Sequence, residues 1–347
     1  MGRKPIAICI TDTHAHSNNI EIQENIWNQL FVLAKERGIK RVFHLGDMVH
    51  ARKAQPLNVL KHLNWIKENI KDRSLDFTGI CGNHDKVSLE SLFAYPTLYD
   101  SDGFNVVEET QELQINDGLS IWFMSYFPET TTAPKILSEM SLRVKKSKKN
   151  ILCAHQGISG GLSHENATIN KELPAESFKA FDLSLLGHYH NANVVEHNGS
   201  HEIRYIGSSH ATNYGEDNNK GFTIIYDDGS IESINSEFPK FETIDIEVSE
   251  ISGKWLSNTK KHIASSGNNV RLIVSGDESD LKKLKKQKFS DIGIKKVIRK
   301  NDNVSIESVD DKVAFVSLDK KDALKEYRKF CINQEIDPSF GLGYLEG

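Results

Sequence analysis

The stretch DFTGICGNHD, residues 76–85, runs from an apolar, β-branched segment straight into Asn83, His84 and Asp85. The segment reads as a strand, and each of the three polar residues after it can bind metal or move a proton. The same pattern occurs upstream. PIAICITD reads as a buried strand, and IEIQENIWNQLFVLAKERGI follows with Ile22, Ile26, Leu30 and Leu33 near helical spacing and Gly38 as its stop. Strand RVFHLG and helix PLNVLKHLNWIKENI then lead into DFTGICG. This strand–helix alternation predicts an α/β layered core.

Further along the chain FNVVEE, QELQI and SIWFMSYF read as strands, followed by a helix near 134–145 and strand NILCAH. DLSLLGHYH comes after a Gly-rich loop. HEIRYIGSS, GFTIIYDDG and SIESINS read as antiparallel strands joined by turns such as Asp228-Gly229. The expected fold class is an α/β sandwich of two sheets rather than a single Rossmann-like sheet. After residue 240 the strands FETIDIEV, NNVRLIVSG and IGIKKVIRK, with DESDLKKLKKQ as a charged helix, mark a small C-terminal α/β cap domain. DKKDALKEYRKFCINQ reads as a terminal helix. The predicted divisions are 1–239, 240–308 and 309–347.

Composition limits the function. The chain has 347 residues and a formal net charge of −5, so whole-chain electrostatics does not favour nucleic acid. Any such binding must come from a local patch or from metal ions that supply positive charge. No run approaches a membrane span, and MGRKPIAICI meets Asp12 rather than a small-residue cleavage site, so a cytoplasmic protein is expected. The four cysteines have no paired spacing and read as buried thiols.

Five clusters carry the chemistry: Asp12-Thr13-His14, Gly46-Asp47, Gly82-Asn83-His84-Asp85, His155 in CAHQG, and Gly187-His188-Tyr189-His190. Each stands where a predicted strand ends, and α/β sheets bind ligands outside the carboxyl ends of their strands. Carboxylates, imidazoles and an amide oxygen suit manganese, iron or zinc rather than a thiolate site. Asp47 can bridge two ions, and two ions about 4 Å apart can clamp a phosphodiester and activate water for in-line attack. His14 and His190 each lie two residues from another candidate, so extended backbone would turn both partners to one side. Alone, an Asp-x-His or Gly-Asp is commonly a turn or cap; the ordered set is what carries the signal. His16, His44, His62, His164, His197, His201, His210 and His262 read as ordinary residues, and His50 as intermediate.

In this order the clusters resemble the calcineurin-like metallophosphoesterase superfamily, over about residues 5–225. GDMVHARKA resembles the double-strand-break repair nucleases, where protein phosphatases have GDxVDRG and GNHE. RYIGSSHATNYGEDNNKGFTII resembles the corresponding stretch of SbcD-type nuclease subunits, of the phage or bacterial form. The resemblance implies one metal held by Asp12, His14, Asp47 and His190, and another by Asp47, Asn83, His155 and His188. It makes His84 the proton donor or transition-state stabiliser, puts His50 beside the DNA backbone, and has Asp85 orient the loop or His84. It further implies manganese, 3′ to 5′ exonuclease action on duplex DNA, and endonuclease action on single strands or hairpins. The implied role is DNA recombination and repair, with an SbcC-type ABC ATPase with coiled coils as partner, in the cytoplasm (the host's, if viral).

By the same resemblance, PLNVLKHLNWIKENI and SLESLFAYPTLY supply a homodimer helix bundle, and DALKEYRKF docks on the ATPase; each can equally be ordinary packing. KKLKKQK, 282–288, is either a DNA-phosphate contact or a solvated helix face. The alternative function is a nucleotidase, cyclic-nucleotide phosphodiesterase or other enzyme for small phosphoesters. A non-catalytic scaffold is a third, which the full ligand set argues against.

Overall fold

The computed structural model describes residues 2–52, 54–89, 91–160, 172–197, 201–301 and 304–306. The expected terminal helix and the 309–347 tail lie outside the described residues. The chain divides into two compact units, the first Met1–Phe241 and the second starting at Glu242.

The first unit runs β1 (Pro5–Ile10), α1 (Ile20–Arg37), β2 (Arg41–Leu45), α2 (Leu57–Asp72), β3 (Asp76–Ile80), β4 (Phe104–Val107), β5 (Thr110–Asn116) and β6 (Leu119–Met124). It continues with α3 (Thr132–Arg143), β7 (Lys149–His155), β8 (Leu183–Gly187), β9 (Asn193–His197), β10 (Glu202–Tyr205), β11 (Gly221–Tyr226) and β12 (Ile231–Asn235). One six-stranded sheet has the order β12-β11-β1-β2-β3-β4, the other β5-β6-β7-β8-β10-β9. β1 to β4 are parallel, as are β6, β7 and β8.

Alternation along each strand builds the layers. Ile8 and Ile10 of β1 face a core shared with Trp27, Leu30 and Ala34 of α1 and Leu63 and Ile66 of α2. Ala7 and Cys9 face the other way, into a layer with Phe43, Ile121, Phe123, Ile151, Cys153 and Leu185. Trp122, Met124, Leu152 and Ala154 form a third layer with Ile136, Leu137 and Met140 of α3. The result is helix–sheet–sheet–helix, with the Phe43 and Phe123 rings 4.9 Å apart across the middle. α1 stops at Gly38, whose left-handed φ of 65° costs a glycine nothing sterically.

Three local readings are corrected. HEIRYIGSS does not join an all-antiparallel set: β10 runs parallel to β8 and antiparallel to β9, while β11 pairs antiparallel with β1 in the other sheet. The expected charged helix is two pieces. The second unit runs β13 (Phe241–Glu247), α4 (Gly253–Ser266), β14 (Asn269–Ser275), α5 (Glu278–Lys283), α6 (Lys286–Ser290), β15 (Lys296–Asn301) and β16 (Val304–Ile306). Leu284 is extended between α5 and α6, and its carbonyl accepts from Arg299 at 2.8 Å. α4 lies outside the sequence expectation; only Leu256 and Thr259 of its residues are buried. β13 to β16 form a four-stranded sheet in that order. SLESLFAYPTLY forms a 3-10 turn at Tyr95–Tyr99 rather than a full helix, and Phe93 and Leu98 are exposed.

Candidate metal centre

The loops after β1, β2, β3, β7 and β8 meet at one edge. The first two are zipped by backbone hydrogen bonds: Asp12 N–H to Gly46 O, His14 N–H to Asp47 O, and Ala15 N–H to Met48 O, at 2.9–3.0 Å. Asp12, His14, Asp47 and His188 all have positive φ, at 49°, 46°, 56° and 99°. Side chains two residues apart therefore converge through left-handed kinks, not through strand alternation. Such kinks cost about 1–3 kcal/mol each and survive where the surroundings fix them. Asn83, His84 and Asp85 likewise form a turn beyond the end of β3. Close approach explains two glycines. A Cβ at Gly46 would lie 2.5 Å from His155 Nδ1, and one at Gly82 would lie 2.1 Å from Asp47 Oδ1.

The ligating atoms gather on both sides of Asp47. His14 Nε2 is 3.0 Å from His190 Nε2, 3.6 Å from Asp47 Oδ2 and 3.8 Å from Asp12 Oδ1. His155 Nε2 is 3.4 Å from the same Asp47 oxygen and 3.1 Å from Asn83 Oδ1, which also stands 3.1 Å from His188 Nδ1. These separations suit neighbouring ligands of one ion, since donors about 2.1 Å from a tetrahedral centre are roughly 3.4 Å apart.

The protons support a cation. His155 Nδ1 faces the Leu45 carbonyl at 2.8 Å and must donate to it. In the neutral ring Nε2 is then a lone pair facing Asp47 and Asn83 oxygens, which also only accept. A cation between them resolves the conflict; without one the ring binds a proton. Burial opposes that charge, but Asp47 outweighs it and pushes His155 up to about 9. Burial drives His188 down to about 3 and holds His14 well below the usual histidine range, which keeps both neutral as metal ligands require. Burial likewise opposes charge on Asp47, but the neighbouring His155 overrides it and holds the carboxyl well below the usual range. The donor set thus fits two divalent ions, with Asp47 shared.

A calcineurin-like phosphoesterase superfamily domain matches residues 6–225. The chain belongs to that superfamily. Its fold is similar to a dimetal phosphatase from Danio rerio (10% identity, 64% of this chain and 93% of that one, TM-score 0.47). It is also similar to TT1561 of Thermus thermophilus (9% identity, 67% and 99%, TM-score 0.42). A third similar structure is the nuclease MPE of Pseudomonas putida (14% identity, 65% and 85%, TM-score 0.30). No curated protein matches the chain. As a calcineurin-like phosphoesterase, the chain is a metal-dependent hydrolase of phosphoesters. No helix among the described residues is long and apolar enough to cross a membrane.

The remaining candidates lie around this centre. The His84 backbone N–H donates to Asp47 Oδ1 at 2.8 Å, and its Nδ1 donates to the His50 carbonyl at 2.5 Å. Its ring packs edge-on to His14, with centroids 4.8 Å apart. His50 is exposed, with its ring 5.7 Å from that of His84. The Asp85 carboxylate is turned to backbone rather than to the His84 ring. It accepts from Val49 N–H at 3.0 Å and Gly82 N–H at 2.8 Å, tying together the two loops that carry Asp47 and Asn83. Burial, with the Asp47 charge, pushes Asp85 up to about 7.

Other supporting groups do not stand out in the sequence. Thr11 donates to Asp12 Oδ2 at 2.8 Å. Buried Lys86 donates to the Tyr126 carbonyl at 2.5 Å. Glu216 stands behind His190 at 3.0 Å. Glu216 and Lys220 lie in the GE…KGF segment, whose spacing is visible in the sequence although its target is not.

Proposed function

We propose that the chain is the nuclease subunit of an SbcCD-type DNA repair complex, cutting DNA phosphodiesters with manganese as its metal. The observation that carries this reading is where the two SbcD-like stretches lie. His50 of GDMVHARKA holds His84 through its carbonyl, and Glu216 of the GE…KGF segment holds His190. Both SbcD-like stretches therefore border the centre, the first through a backbone carbonyl and the second through a side chain.

In this mechanism Asp12, His14, Asp47 and His190 would hold one ion and Asp47, Asn83, His155 and His188 the other. The ions, when bound, neutralise charge developing on the phosphoryl group and make water a better nucleophile. His84 is kept out of the ligand set. With Nδ1 donating to His50 O, its Nε2 is the atom left to deliver a proton to the departing 3′ oxygen. Exposed His50 lines the approach of the DNA backbone. Asp85 keeps the Asp47 and Asn83 loops in register. A homodimer is part of the proposal, and Leu57, Phe93 and Leu98 are exposed apolar side chains in the two segments assigned to it. The 309–347 tail is assigned to the ATPase partner, and the cytoplasm is the assigned compartment.

End-labelled duplex DNA incubated with manganese, with and without the ATPase subunit, tests the proposal. Release of nucleotides from the duplex is expected. Rapid turnover of a small phosphomonoester with the duplex left intact would instead assign the chain to the small-phosphoester enzymes of the superfamily.

A further inference from the structure

Behind His190, on the side away from the other ligands, lies a carboxylate with no solvent exposure. Glu216 Oε1 is 3.0 Å from His190 Nδ1, and the Glu216 and Lys220 side chains are both fully buried. The same oxygen accepts from Thr212 Oγ1 at 2.5 Å and Asn213 Nδ2 at 2.8 Å, while Oε2 is 3.3 Å from Lys220 Nζ. Lys220 also donates to the His190 carbonyl at 2.6 Å and to Asn191 Oδ1 at 2.8 Å. One lysine therefore grips both the backbone of His190 and the carboxylate that holds its ring. Ser208 N–H donates to His190 O and Ser209 N–H to Thr11 O, which fastens the segment to the loops it serves.

We propose that Glu216 is a positioning residue that sets the affinity of one cation site, that of Asp12, His14, Asp47 and His190, by acting through His190. An ionised carboxylate only accepts, so His190 Nδ1 must carry the proton and Nε2 must present its lone pair inward, 3.0 Å from His14 Nε2. A carboxylate behind a ligating imidazole fixes its tautomer and orientation and makes it a stronger base. The other site lacks this device at His155, whose Nδ1 meets the neutral Leu45 carbonyl. The two sites are thus supported unequally, and Glu216 tunes one of them. The proposal rests on the two-cation reading of the centre but not on the identity of the phosphoester.

The test is manganese titration of the metal-free full-length chain by calorimetry, with bound metal counted by elemental analysis. The proteins are wild type, Glu216→Ala, Glu216→Gln, His190→Ala and the double variant His190→Ala/Glu216→Ala. Glu216→Ala is expected to weaken one binding step by about 10–100-fold and leave the other unchanged. Glu216→Gln is expected to recover most of that loss, because its amide oxygen still accepts from Nδ1–H. The double variant is expected to bind no more weakly than His190→Ala, since the two residues act as one unit.

Two intact steps in a folded Glu216→Ala, loss of both steps, or a further loss in the double variant would each overturn the proposal and leave Glu216 a purely structural partner of Lys220. If Glu216→Ala does not fold, the pair Thr212→Val/Asn213→Ala, which removes two donors to the carboxylate, decides. Weakening of the same single step supports the proposal, and an unchanged step overturns it. Failure to cut DNA would not touch these results. Failure of the wild type to bind two manganese ions would remove the reading on which the proposal stands.

Discussion

His14 and His155 reach the same oxygen of Asp47, at 3.6 and 3.4 Å, but the two halves of the centre they belong to are built differently. On the His14 side the candidate ligands are Asp12 and His190, and His190 is backed by a buried carboxylate. On the His155 side the candidate ligands are Asn83 and His188, and His155 is backed by a neutral backbone carbonyl. One half gathers negative charge around its cation, and the other offers mostly neutral donors. A divalent ion is attracted more strongly to the first. What the halves share is Asp47, held in a left-handed conformation by the loops that meet it.

The shared atom gives the largest expected effect. Asp47→Ala removes a ligand from both halves, so both manganese binding steps fail and hydrolysis falls by about a thousandfold or more. Retention of one normal binding step, measured by calorimetry, would show that Asp47 serves only one half. His84→Asn separates binding from chemistry. Turnover is expected to fall by about 10²–10⁴-fold while metal stoichiometry stays at the wild-type value. A lost ion in that variant would make His84 a ligand and redraw the comparison.

Gly82→Ala forces a methyl group against Asp47 Oδ1 and the Asp47 backbone nitrogen, 2.1 and 2.4 Å from the added carbon. Thermal unfolding is expected to report about 1–3 kcal/mol of lost stability, with both metal steps weakened. An unchanged melting curve would mean that the loops are free to part.

His62, on α2, is depressed by burial as His14 and His188 are, but it is not one of the candidate ligands. It is buried against Trp65, neither ring nitrogen has a hydrogen-bond partner, and burial depresses it from 6.5 to about 4. A depressed histidine binds its proton more readily in the unfolded chain. Stability from this residue is therefore complete above pH 6.5 and lost as pH falls towards 4. Between pH 6.5 and 5 the loss is about 2 kcal/mol. Denaturant titrations of metal-free wild type and His62→Met across that range should differ by this slope, and equal slopes would contradict it.

The smallest effect concerns Ser74, a positive-φ residue outside the centre, at 50°. Ser74→Gly is expected to raise stability by about 0.5–1 kcal/mol without altering metal binding, because its strain serves no ligand. A loss of stability would show that the serine side chain contributes more than its backbone strain costs.

Much of this was legible in the sequence. The strands that end at Asp12, Asp47, Asn83, His155 and His188 announce themselves as apolar runs that stop at polar clusters, and the structure brings those clusters together. The gaps have physical causes. Backbone kinks at Asp12, His14, Asp47 and His188 leave no compositional trace, since those residues are there for their side chains. Leu45 acts through its carbonyl, which every residue has. Glu216 belongs to the GE…KGF segment that the sequence shows, but only the fold sets it against His190. The pairing of β10 with β8 depends on a crossover that local alternation cannot show. α4 escapes notice because only Leu256 and Thr259 of its residues are buried.

Anomalous diffraction from crystals of the metal-free protein soaked in manganese tests the centre most directly. Two peaks are expected flanking Asp47 Oδ2, one among Asp12, His14 and His190 and the other among Asn83, His155 and His188. His14, His50 and His84 also lie close enough together to hold an ion. A single peak, or a peak at that triplet in place of either site, would contradict the account.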